Sequence, residues 1–249
     1  MRWRPRAGRV KPHAERSCIV CSAYVADNSE TGPGEPSVSS LLSESATAAL
    51  RSRLVRVEIM PGERLSEPEL RASLGVGTSP VREAIRRLEF EKLIVIYPRS
   101  GTFATDIALK DSRSVMELRL QLEGLAASLA CGRGSRAEKE QLIAIAERQF
   151  ETDDLQQCID LDAAFHHGIY RMTRNDYLTT TAEIHFNLAL RQWYFCSKVV
   201  QTPDWTGVDH RPLAEAIARG DAESAGRHIR EHVLHDSQQV VDILTNYGL

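Results

Sequence analysis

Apolar residues recur at helical spacing from Leu41 onward: Leu42, Ala46, Ala49, Leu50, Leu54 and Val55 fall on one face, and the pattern runs to Ile59. It predicts a first helix that Met60-Pro61-Gly62 ends. A second helix is expected behind a capping box, with Ser66 as N-cap and Glu69 three residues later, and with Leu70 and Leu74 as its apolar positions. Gly75-Val76-Gly77 reads as a tight turn. The third helix takes Ser79 as N-cap and Pro80 as its first residue, where the missing N–H costs nothing; Val81, Ala84, Ile85 and Leu88 share one face, and Arg82 and Arg86 lie one turn apart on another. Residues 93–97 and 102–105 are short β-type runs around Pro98-Arg99-Ser100-Gly101, which predicts a hairpin. Three short helices and a hairpin make a winged helix-turn-helix, whose third helix is shaped to enter a major groove.

Beyond residue 109 the strand signals stop. Six helices are expected, roughly over 110–132, 136–151, 155–174, 176–199, 208–219 and 221–246, parted by Gly132-Arg133-Gly134, Asn175, Thr202-Pro203-Asp204 and Gly220. Short connections between amphipathic helices imply antiparallel neighbours in one bundle. The chain therefore reads as mainly α, with a disordered basic and polar tail over 1–40, a winged helix-turn-helix over 41–106 and an all-α antiparallel bundle over 107–249. The tail carries Arg2, Arg4, Arg6, Arg9, Lys11 and Arg16 before a Ser/Gly/Pro/Glu-rich stretch without periodicity. It is read as a solvated extension or an over-long translation start, or else as a source of nonspecific attraction to phosphates.

Composition adds one asymmetry. The 249 residues are 42% hydrophobic and 26% charged, and the net charge of -3 argues against general adhesion to nucleic acid. Cut at the expected boundaries, the tail carries about +2, the head about +1 and the bundle about −6, which places any DNA contact in the N-terminal part. Five cysteines without framework spacing suit a reducing cytoplasm; Cys18 and Cys21 have CxxC spacing but no second pair. No stretch approaches the roughly 20 apolar residues of a membrane span, so a soluble protein without a membrane partner is expected.

Candidate chemistry lies in the bundle. Asp162 and His166 stand at i and i+4, so both project from one helical face, as two ligands of one metal must, although such a pair is also a common surface ion pair. Further imidazoles stand at His185, His210, His228, His232 and His235, and spacing does not choose among them.

The run Pro61 to Glu67, then Leu70, Leu74-Gly75-Val76, Ser79-Pro80-Val81-Arg82-Glu83-Ala84, Arg86-Arg87-Leu88 and Gly101-Thr102-Phe103 resembles the signature of the GntR family of transcriptional regulators. The resemblance implies DNA contacts from Ser79, Arg82 and Arg86 on the recognition helix and from Arg99 and Gly101 in the wing. Thr78 and Pro68 depart from it, since both positions are commonly arginine in the family, and Thr78 is carried as a DNA-facing position. The second half is similar to the FCD ligand-binding domain, in the six-helix length of its VanR group: Glu117-Leu118-Arg119 with Leu122-Glu123, Asp162 to His166, Asn175, His210, Gly220-Asp221 and Ala225 to His232 match. That likeness implies a divalent metal on Asp162, His166, His210 and His232, zinc first, with nickel, manganese or iron as alternatives. It also implies a small organic or sugar acid as effector, with Arg119 gripping its acid group; by spacing alone Arg119 is an i, i+4 partner of Glu123. Arg191, Trp193 and Tyr194 either line the same cavity or belong to the core. The function so implied is a homodimeric repressor on a pseudo-palindromic operator in double-stranded DNA. A regulator that senses the metal itself is the alternative; a metal-dependent hydrolase would need a general base, and no HExxH motif occurs.

Overall fold

The computed structural model describes residues 38–199 and 209–246. The tail is thus outside the described residues up to residue 37, as are His13, Cys18 and Cys21, the 202–204 connection and the expected helix start at 208.

The head follows the expected order with one added strand. Helix α1 (Val38–Val55) buries Ala46, Leu50 and Leu54 against α3 (Thr78–Phe90), which offers Val81, Ala84, Ile85 and Leu88. Arg51 of α1 grips Glu91, at the C-cap of α3, through two hydrogen bonds of 2.6 and 2.7 Å. The first helix stops four residues short of Ile59 because Val57 turns left-handed, at φ 53°, while its side chain stays buried in the core. Strand β1 (Arg64–Leu65) precedes α2 (Glu67–Leu74), and β2 (Ile94–Tyr97) with β3 (Gly101–Ala104) forms the hairpin; the sheet order is β1-β3-β2 and both pairings are antiparallel. Two expected caps differ. Ser66 sits at the N-cap of α2 without a side-chain cap bond, so the box with Glu69 does not form. Gly77, not Ser79, caps α3, which places Ser79 and Pro80 inside the first turn.

Six helices form the second half: α4 (Leu109–Arg133), α5 (Arg136–Glu151), α6 (Leu155–Met172), α7 (Asp176–Val199), α8 (Arg211–Arg219) and α9 (Ala222–Asn246). Nine helices thus stand among the described residues. The α4 and α9 pair is the spine of the bundle. Gly124 and Gly226 let it close: a Cβ on Gly124 would meet the Arg230 guanidinium at 2.7 Å, and one on Gly226 would meet Ser128 Oγ at 3.1 Å. Helix α5 starts from a complete capping box of Ser135 and Glu138.

Head and bundle meet along α1 and α7. Asp160 of α6 accepts from Arg56 at 2.8 Å and from the Tyr194 hydroxyl at 2.6 Å, and Lys198 donates to the Val57 carbonyl at 2.5 Å. Arg191 donates from both terminal nitrogens to Thr105, just past β3.

Gly220 sets the turn from α8 to α9 in the left-handed region, at φ 78°, where its N–H closes α8 on Ala216 and Ile217. A Cβ there would meet nothing nearer than the Cys131 carbonyl at 3.9 Å, so the cost of a side chain is purely conformational. Gly220→Ala should destabilise the chain by about 1–2 kcal/mol in denaturant unfolding, and Gly220→Asn by less. Equal stability of the three proteins would show that the turn relaxes freely.

Candidate metal centre and DNA-binding face

Helix α6 supplies Asp162 and His166 one turn apart, α9 supplies His232, and His210 occupies the residue before α8. Their ligating atoms lie within 4.8 Å of one another, and all four residues are buried. His232 Nε2 is 3.0 Å from His166 Nε2 and 3.3 Å from His210 Nε2, while Asp162 Oδ1 is 3.7, 3.5 and 3.8 Å from Nε2 of His166, His210 and His232. Bonds of about 2.0–2.2 Å to one tetrahedral ion separate its ligand atoms by about 3.3–3.6 Å, and the cis edge of an octahedron is near 3.0 Å. The spacing fits a transition ion held by nitrogen and oxygen.

The surrounding acceptors explain why the Nε2 atoms face inward. Glu123 Oε2 approaches His166 Nδ1 to 2.6 Å, in a bent contact rather than a straight hydrogen bond, and Gln149 Oε1 accepts from His210 Nδ1. With its hydrogen on Nδ1, an imidazole presents a bare lone pair at Nε2, and such pairs facing one another repel. His232 can donate to one of them, not to both. A cation between the rings removes that repulsion, so the residues present fit a metal. Burial pushes the His210 imidazole down to about 4 against the pull of Asp162, and lowers His232 strongly with help from its two histidine neighbours, so both stay neutral as ligands must. Burial would raise Glu123, but Arg119 and His166 hold it at about 2, ionised. Phe186 stacks on the His166 ring at 4.7 Å and Phe165 lies 4.5 Å from His210, which keeps the site in an apolar wall.

The other described histidines have separate partners. His228 stands beside Glu231 at the surface, His167 beside Glu183, His185 against the Thr181 carbonyl and His235 against Gln239. His228 and His232 are on one helix, and geometry brings only the second to the cluster. Two neighbours went unread in the sequence. Gln149 gave no signal, being far along the chain, but Asp236 is one turn beyond His232 and its Oδ2 lies 3.1 Å from His232 Nε2. Burial, with Asp162 nearby, raises the Asp236 carboxyl well above its usual range.

Of the expected effector residues, Arg119 is at the site but makes the i, i+4 pair: its Nε donates to Glu123 at 2.5 Å, and its guanidinium lies over the Phe186 ring. Arg191 and Trp193 do not line this cluster. The Arg191 guanidinium is held by Thr105 at the head, and Trp193 packs with Cys196, Val240 and Leu244 in a small core of its own, because the first leaves α7 toward the head and the second toward the last turns of α9. Tyr194 likewise turns to Asp160.

On the head, α3 exposes Ser79, Arg82, Arg86 and Arg87, with Thr78 half-buried at its first residue. Arg82 Nε bonds Glu67 at 3.1 Å, and Arg87 and Arg86 flank Glu83 at 3.0 and 4.0 Å. Arg99 stands exposed at the hairpin tip at φ 66°, and Gly101, at φ 122°, accepts the Arg64 side chain so closely that a Cβ would meet it at 3.2 Å.

Residues 42–104 match the family described as bacterial regulatory proteins, gntR family, and residues 114–235 match the FCD domain. The HTH-type transcriptional regulator YdhC of Bacillus subtilis (strain 168) is 30% identical over 208 residues, 78% of this chain and 89% of that protein. The HTH-type transcriptional repressor RspR of Escherichia coli (strain K12) is 26% identical over 197 residues, 78% of this chain and 86% of that protein. Among solved structures, E. coli McbR/YncC superimposes with a TM-score of 0.66 at 22% identity, over 84% of this chain and 99% of that one, a likeness of fold. Family and relatives are transcriptional regulators, not enzymes, which sets the hydrolase alternative aside. No helix among the described residues is long and apolar enough to cross a membrane. A winged head with an exposed basic helix, joined to an FCD bundle, makes this chain a member of the GntR family of bacterial regulatory proteins, a DNA-binding transcriptional regulator.

Proposed function

We propose that the chain is a homodimeric repressor whose hold on a pseudo-palindromic operator is set by a small organic or sugar acid, bound beside a divalent metal on Asp162, His166, His210 and His232. The observation that carries this reading is the inward convergence of three imidazole Nε2 atoms and one carboxylate in a bundle joined to a DNA-binding head. When bound, the ion, zinc first, would supply a Lewis-acid site with a local charge of about +1 for an acid's oxygens. The chain's own groups support an acid there. Arg119 keeps its Nε on Glu123, while its terminal nitrogens make no hydrogen bond to a described residue, and the buried Tyr170 hydroxyl also has no such partner. On the DNA side, Ser79, Arg82 and Arg86 would face the groove with Thr78 at the edge, and Arg99 and Gly101 would form the wing contact. Two copies are needed to place two recognition helices on half-sites about one helical turn apart. One observation favours the second reading, a regulator that responds to the metal itself: Asp236 is a further buried carboxylate 3.1 Å from His232 Nε2 and could complete the ion's coordination without an acid. Operator binding by stripped and by metal-loaded protein, each with and without organic and sugar acids, separates the two. A response to acid only when metal is loaded supports the first, and a response to metal alone supports the second.

Single changes to alanine at Asp162, His166, His210 or His232 should empty the site by elemental analysis after equal dialysis, while His167→Ala, His185→Ala, His228→Ala and His235→Ala should keep it full. Glu123→Gln should weaken metal binding by roughly 10–100-fold through His166. Purified protein that never carries stoichiometric metal would sink the reading.

Arg82→Ala should weaken operator binding by about 1–3 kcal/mol and change binding to random DNA little. Equal, small losses on both in a gel-shift series would reduce Arg82 to a phosphate contact or a bystander. Thr78→Arg should steepen the salt dependence of binding by about one unit.

A further inference from the structure

Between the head and the bundle lies a cavity of about 400 Å³, within the range of small-molecule sites. It shares no lining residue with the four-ligand cluster. Thr105 comes from the head side, Val115 and Leu118 from α4, and Leu188 and Arg191 from α7.

Arg191 is the unusual wall. It is 2% exposed, and its two terminal nitrogens donate to Thr105 Oγ1 and to the Thr105 carbonyl, each at 2.7 Å. Its Nε is buried without a hydrogen-bond partner. Both partners are neutral oxygens, and no carboxylate among the described residues stands within ion-pair distance. The contrast with Arg119 is direct, since that buried guanidinium has Glu123 at 2.5 Å. Burial without a counterion lowers the Arg191 group to about 10, with Asp106 only partly opposing the shift. A buried charge left in this state is costly, and an anion in the cavity would relieve it. Asp106 and Asp111 are also on the wall, both exposed, so a bare anion would meet two carboxylates there as well.

We propose that this joint cavity is a second ligand site, taking a small carboxylic acid that carries a hydrogen-bond donor beside its acid group, as amino and hydroxy acids do. Arg191 takes the carboxylate, Asp106 and Asp111 accept from the donor, and Val115, Leu118 and Leu188 cover an apolar body. Because the walls belong to both halves of the chain, a bound molecule fixes the head against the bundle, and its effect on DNA binding does not pass through the metal.

Isothermal titration of the metal-loaded full chain tests this with four probes of one shape: L-leucine, 2-hydroxy-4-methylpentanoate, 4-methylpentanoate and isopentylamine. The first two should bind once per chain, the plain acid roughly tenfold more weakly, and the amine not at all. Arg191→Met should weaken the first two by roughly 10–100-fold. That variant also frees Thr105, so Ser114→Phe, which fills the cavity from an exposed position on α4, should block binding in a chain that circular dichroism shows to be folded. His232→Ala should bind as the unaltered chain does. Binding lost in His232→Ala would put the acid at the metal centre, and unchanged binding in Arg191→Met or Ser114→Phe would put it elsewhere; either overturns the proposal. So does the absence of heat with all four probes at millimolar concentration.

Discussion

Imidazole nitrogens that face one another at about 3 Å in an apolar interior repel each other unless a proton or a cation lies between them. Three such rings and a carboxylate meet here at one point, and they arrive from α6, α9 and the residue that opens α8. The relative registers of these elements must therefore hold to within a fraction of an ångström. Much of the bundle reads as a means to that end. Glu123 of α4 and Gln149 of α5 orient two of the rings, Arg119 keeps Glu123 ionised, and Gly124 and Gly226 allow α4 and α9 to approach closely enough for the whole set to fit. A charge network buried this deep is weak as a source of stability and strong as a constraint on geometry.

The elements of the fold were legible wherever periodicity extended over several turns. Apart from α8, which begins at Arg211 rather than at 208, the bundle helices begin and end within about two residues of their expected limits, because Gly132 to Gly134, Asn175 and Gly220 punctuate long amphipathic runs. The head was harder at its joints. Strand β1 is two residues long and exists only by pairing with β3, so no local pattern announces it. Ser66 and Ser79 have the right chemistry for caps, yet Gly77 takes the extended conformation ahead of α3 and leaves Ser79 inside the helix. The end of α1 depends on Val57, a β-branched residue in a left-handed conformation that its burial enforces. Tertiary packing overrode local preference there.

The four clustered residues could be named from the family pattern, but not from spacing. Among the histidines of α9, His228 and His232 differ by a single turn, and only the direction in which α9 packs on α4 tells them apart. Asp236 repeats the same i, i+4 interval, so the turn after His232 already held the clue in the sequence. Gln149 offered none, since its role comes from a contact 61 residues away in the chain. Arg191 is expected beside the cluster and stands instead at the joint with the head. Its helix carries Phe186 to the cluster and Arg191 to the head, and an aromatic stripe in the sequence cannot say which face meets which neighbour.

Asp160 and Asp162 sit two residues apart on α6, which turns them to nearly opposite sides of the helix. One receives Arg56 and Tyr194 at the joint with the head; the other belongs to the cluster. The helix is thus a rocker with a load at each edge, and close packing leaves it little freedom to bend in between. A small roll of α6 about its axis would move both carboxylates at once, in opposite senses, without unwinding a turn. Mechanical linkage of this kind asks for no wire of intermediate residues, only for stiffness in one element.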